Sequence, residues 1–87
     1  MIFNTVEILG LVAAVFTTSA FVPQVYKTWK AKSAKDLSLT MFLVFFIGVM
    51  LWLVYGYMIQ SLSVVLANSV TGFLALILIS FKLRYKN

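Results

Sequence analysis

Apolar residues fill three long runs along the chain, separated by two short polar stretches. The first run spans about Thr5 to Trp29, the second about Ser38 to Ile59 and the third about Leu62 to Phe81. A helix of about 20 apolar residues crosses the hydrocarbon core of a bilayer, so each run is long enough to span it. Between Leu37 and Phe81 no side chain carries a charge, which leaves room for two crossings in that stretch alone. The pattern predicts an all-α membrane protein, a three-helix bundle forming a single domain over residues 1–87. Asp36 and Ser38 stand just before the apolar run from Leu39, and either side chain is suited to cap the free N–H groups of a helix start. Trp29, Tyr57 and Tyr85 fall near the expected interfaces, where aromatic rings with a polar edge act as anchors. No internal repeat, low-complexity tract or long linker divides the chain.

Composition sharpens this picture. The 87 residues are 63% hydrophobic and 10% charged, with a mean hydropathy of +1.07, a balance that leaves too little polar surface for a soluble domain of this size. The net charge of +5 comes from seven Lys and Arg residues against two acids. Lys27, Lys30, Lys32 and Lys35 lie in or beside the first connection, and Lys82, Arg84 and Lys86 follow the third run. The second connection, around Gln60 and Ser61, has no charge. Basic residues on one side of the bundle mark that side as cytoplasmic, so the amino terminus is expected outside and the carboxyl terminus in the cytoplasm. Helical spans point to a cell inner membrane, because outer-membrane spans are usually barrels. The same sorting makes nucleic acid a poor partner for these charges. The residues before the first run carry only Glu7 and lead to no small-residue cleavage site, so that run is expected to be retained rather than removed as a signal peptide.

With no cysteine and no histidine, the chain has no disulfide, thiolate or imidazole chemistry and lacks the commonest metal ligands. No nucleophile with an acid–base partner stands out, so neither an enzyme nor a cofactor is expected. Glu7 is the single acid near a span, at an outer edge where it reaches water, and no ionisable relay crosses the membrane. A carrier built this way would move its solute down the solute's own gradient, as a uniporter.

Some positions stand out within the runs. Pro23, followed by Gln24, sits inside the first run, where it removes one backbone hydrogen bond and frees the carbonyl of Ser19. It reads either as a static kink or as a hinge near the cytoplasmic end. Upstream, Gly10, Ala13, Ala14, Thr17 and Thr18 form a small-residue stretch suited to close helix packing; the hydroxyls fit a polar path as well, although in membranes they often bond their own helix. Trp52 and Asn68 lie at similar depths, roughly 10 Å below the outer surface at about 1.5 Å per residue, one on the outgoing second helix and one on the returning third. An indole face beside an amide suits the C–H and hydroxyl surfaces of a sugar. The alternatives are a helix-tying Asn and a deep member of the aromatic belt. Phe45, Gly48, Trp52 and Tyr55 recur at spacings that put all four on one helix face, a packing stripe in most helices. Should Trp52 line a cavity, Tyr55 and Phe45 are placed to close it from opposite sides.

These residues also resemble a known family, the SemiSWEET sugar transporters, three-helix bacterial relatives of the SWEET carriers within the PQ-loop group. Thr17-Thr18-Ser19-Ala20-Phe21-Val22-Pro23-Gln24 is similar to the family's first-helix motif, and Lys32-Ser33-Ala34-Lys35-Asp36-Leu37-Ser38 to the loop after it. Gly48-Val49-Met50-Leu51-Trp52-Leu53-Val54-Tyr55-Gly56 and Ala67-Asn68-Ser69-Val70-Thr71 resemble the second- and third-helix signatures. The resemblance implies a parallel homodimer around a central cavity, working by alternating access. It implies Trp52 and Asn68 as the substrate-binding pair for a small sugar of the glucose or sucrose class, Pro23 and Gln24 as the hinge, Tyr55 as an outer gate and Phe45 as an inner one. A homodimer is expected on packing grounds too, since three helices packed around one another leave no hydrated path, whereas two bundles across a two-fold axis present Trp52 and Asn68 from both sides. The rival readings are a PQ-loop carrier of another solute, such as an amino acid, and a non-transporting assembly subunit.

Overall fold

A computed structural model describes residues 4–85. Lys86, one of the basic residues placed after the third run, lies outside the described residues. The chain folds into four helical segments: α1 (Thr5–Ser19), α2 (Phe21–Ala31), α3 (Leu39–Met58) and α4 (Leu62–Arg84). Helices α1 and α2 form one span, Thr5–Ala31, and α3 and α4 are the other two, each long and apolar enough to cross a membrane. Among the described residues there is no β-strand.

Local chemistry accounts for each boundary. The Asn4 side chain caps α1 by accepting from the Glu7 backbone N–H at 2.9 Å. Ser38 does the same for α3, accepting from Met41 N–H at 3.2 Å, and Ser61 for α4, accepting from Val64 N–H at 3.3 Å. The first span breaks at Ala20, which keeps helical angles of φ −66° and ψ −24°. The break therefore lies in the hydrogen-bond ladder and not in the backbone conformation. Pro23 has no N–H to offer the Ser19 carbonyl and its ring crowds that oxygen, so the interruption appears a turn ahead of the proline itself. Helix α2 ends on Lys32 in the left-handed region, at φ 52°.

The turn from α3 to α4 is a Schellman motif. Ser61 N–H donates to Gly56 O at 2.9 Å and Gln60 N–H to Tyr57 O at 3.1 Å, with Gln60 left-handed at φ 56° where glycine is usual. The last carbonyls of α3 are thus satisfied within the turn, and Ser61 at once starts α4.

Packing orders the spans first, third, second. Helix α4 packs along α1, α2 and α3, whereas α1 and α3 make no close backbone approach. With Cα extents of 44 × 21 × 13 Å, the spans stand side by side in a shallow arc with α4 at its middle. Small residues set the spacing: a Cβ added to Gly56 would lie 2.6 Å from Val64 Cγ1, and one added to Gly10 would lie 2.5 Å from Ser63 Oγ. The buried core, Phe42, Leu78 and Ile79 with Phe21, Val25 and Phe46 around it, gathers at the basic end. Much of the rest of the apolar surface faces outward, including Phe16 at 75% exposure and Tyr57 at 70%, as a lipid-facing exterior requires.

Candidate functional site

The arc has a hollow side. A cleft of about 560 Å³ runs between α1 and α3 with α4 as its floor. Gly10, Ala13, Ala14 and Thr17 form one wall, Trp52 stands on the other, and Ser63, Val64, Ala67 and Asn68 line the base. Placing α4 in the middle holds α1 and α3 apart and leaves this groove, which is open on one side and encloses no path through a single bundle.

Trp52 and Asn68 face the same cleft at matching distances from the α3–α4 turn. Asn68 donates one amide hydrogen to the Val64 carbonyl at 2.9 Å, one turn back on its own helix. That bond orients the side chain, and its carbonyl oxygen has no partner among the described residues. The Trp52 indole is 54% exposed and packs edge-on against Tyr55, with centroids 5.4 Å apart at 85°. Gly48, Leu51, Trp52 and Tyr55 border a second hollow of about 360 Å³ on the same face of α3, and at Gly48 an added Cβ would meet nothing within 4 Å.

Phe45 stacks at a tilt on Phe21 of α2, with centroids 5.6 Å apart. Phe21 comes two residues before Pro23, so the ring contact joins the second span to the segment that the proline interrupts. Reading the residues did not single out Phe21. The signal available was an aromatic residue next to the proline, which gains meaning only once α2 and α3 are seen to face each other. Of the hydroxyls upstream, Thr17 donates to its own backbone, to Ala13 O and Ala14 O at 3.3 Å each, and Thr18 pairs with Thr71 of α4 at 3.4 Å. Gln24 is itself exposed and lines a pocket between α2 and the following connection, at the basic end.

At the opposite end Glu7 is more engaged than an acid that merely reaches water. Its carboxylate accepts from Ser61 Oγ at 2.9 Å, Ser63 N–H at 2.8 Å and Ser63 Oγ at 3.3 Å. It sits on the free N–H groups at the start of α4, where negative charge is favoured, and ties the first span to the third at the mouth of the cleft. Nothing in the order of residues announced this tie, since it joins positions more than fifty apart.

Comparison with known proteins places this geometry. A family model, the PQ loop repeat, matches residues 5–65. A sugar transporter SemiSWEET from Leptospira biflexa is 42% identical over 81 residues, covering 93% of this chain and 95% of the relative. The chain belongs to the SemiSWEET family. A SemiSWEET from Escherichia coli is 43% identical over 72 residues, 83% of this chain and 81% of its own. Among solved structures, a bacterial homologue of SWEET transporters superposes with a TM-score of 0.89 at 41% identity, covering 94% of this chain and 99% of that one. A SemiSWEET in the inward-open conformation gives 0.87 at 38% identity, covering 97% and 90%. The SemiSWEET resemblance read from the four motifs is therefore correct, and the three-helix architecture is that of the family.

Proposed function

We propose that this SemiSWEET-family chain is one half of a sugar uniporter, a parallel homodimer that carries mono- or disaccharides of the glucose or sucrose class by alternating access. The observation that carries the reading is the pairing of Trp52 and Asn68 in one open cleft. An indole face takes the C–H surface of a sugar ring, and the free amide oxygen of Asn68 accepts from a hydroxyl. The relatives named as sugar transporters support the same reading. Open on one side, the cleft is half of a chamber; a second copy facing it closes the chamber and brings a second Trp52 and Asn68. The unfilled space over Gly48 supports such an approach.

In this reading Tyr55, edge-on against Trp52, gates the outer side, and Phe45 against Phe21 gates the inner one. Pro23 and Gln24 form the hinge: the missing hydrogen bond at Ser19 lowers the cost of bending there. The amino terminus faces outward and the basic end faces the cytoplasm of a cell inner membrane. The whole chain acts as one domain without cofactor or catalytic chemistry.

The test is uptake of radiolabelled glucose and sucrose into proteoliposomes with no imposed ion gradient, with Trp52→Ala and Asn68→Ala in parallel. Equilibrating uptake that both variants lose, although they insert and dimerise normally, is the expected result. Absence of flux for both sugars in well-folded protein would sink the reading and point to another solute or to an assembly subunit.

A further inference from the structure

The connection from α2 to α3 folds back over one face of α2 and encloses a pocket of about 430 Å³ at the basic end of the bundle. Its polar lining comes from Gln24, Lys27 and Thr28 of α2 and from Ser33, Lys35 and Asp36 of the connection. The α2 residues recur at helical spacing and share a face. The connection is pinned in place, for Ala34 is 1% exposed and its carbonyl accepts both from Lys82 Nζ at 2.9 Å and from Leu37 N–H at 3.0 Å. The pocket is therefore built by tertiary contacts and not by a loose loop.

Two features of it suit an anionic ligand. Thr28 lines the pocket and, although the residue is only 7% exposed, its hydroxyl makes no hydrogen bond among the described residues and stays accessible to solvent or a ligand. Threonine on a helix commonly spends that hydroxyl on a backbone carbonyl, as Thr17 does in α1. Lys27 and Lys35 line the same space with no ion pair among the described residues. Asp36 offsets one of the two positive charges, and the pocket stays positive by one. A small acceptor with several oxygens and negative charge would satisfy the two ammonium groups and the hydroxyls together, which a water molecule or a neutral hydroxyl would not.

We infer that this pocket binds a phosphate group, recognised by Lys27 and Lys35 with hydrogen bonds from Thr28 and Ser33. A phosphate at this level comes either from the headgroup of an anionic lipid or from a soluble phosphate ester. The pocket lies where the spans leave the hydrocarbon, the depth of lipid headgroups, and lysines there attract anionic lipid. Because Gln24 adjoins Pro23, an occupant also touches the segment around which the first span is interrupted.

The experiment measures thermal stability of the full-length protein in nanodiscs of phosphatidylcholine, with phosphatidylglycerol mixed in or with inorganic phosphate and glycerol phosphate added to the buffer. The wild type is expected to gain melting temperature with one source, and which one identifies the supplier. Lys27→Gln with Lys35→Gln should weaken the response on the order of tenfold in concentration. Thr28→Val, which keeps the shape and removes the hydroxyl, should weaken it as well. Lys30→Gln with Lys32→Gln removes equal charge outside the pocket and should leave the response intact. The inference fails if neither source stabilises the wild type, or if the two double variants lose the response equally, since general surface attraction then accounts for it.

Discussion

Glu7 and Gly10 stand one helical turn apart on α1 and meet the same residue, Ser63, in different ways. The carboxylate takes Ser63's N–H and hydroxyl, and the glycine makes room for its Cβ. Replacing Glu7 with Gln leaves one acceptor oxygen for donors that now share two, and removes the charge favoured at the start of α4. A fall of a few degrees in melting temperature in detergent is expected, with Glu7→Asp, too short to reach both serines, intermediate. Gly10→Ala forces Ser63 to shift, which disturbs the Glu7 contact as well; overpacking of this kind costs about 1–3 kcal/mol. Gly48→Ala meets no atom within the protomer and should leave protomer stability unchanged, so a calorimetric comparison of the two alanine variants separates a packed glycine from an open one. None of this could be seen by reading along the chain. Glycine looks the same in every helix, and Glu7, Ser61 and Ser63 are ordinary residues until folding brings them together.

Among the helices, the elements were more legible than their arrangement. Absence of charge from Leu37 to Phe81 marked two spans because hydrocarbon tolerates so little else, and counting from the helix ends set Trp52 and Asn68 at one depth because helical rise is constant. Which helix would lie in the middle was not readable, since all three are apolar on most faces and carry weak directional signals. The break at Ala20 follows from Pro23 by covalent geometry. Pro23→Ala should restore the donor for the Ser19 carbonyl and join α1 to α2. If the break serves as the proposed hinge, that variant gains thermal stability and loses uptake rate; unchanged uptake would assign the proline to packing. The α3–α4 turn gives an independent check. Gln60 holds a left-handed conformation at φ 56°, so Gln60→Gly should stabilise the protein by up to about 1 kcal/mol, read by denaturation in mild detergent.

For the molecule as a whole, a thin arc with a hollow side and an aromatic face around Gly48 suits the proposed homodimer, in which the cavity is finished on another copy. Gly48→Cys introduced into a chain without native cysteine gives a clean reporter: oxidation in membranes should yield a covalent dimer if two copies approach there, and monomer alone would move the interface elsewhere. An odd number of crossings brings a further consequence. The chain enters α1 at one end of the bundle and leaves α4 at the other, so two copies cannot be fused tail to head by a short hydrophilic linker and still point the same way. Such a tandem gene would turn its second half upside down. A single-chain version that keeps both halves parallel must spend one additional hydrophobic helix simply on bringing the polypeptide back across.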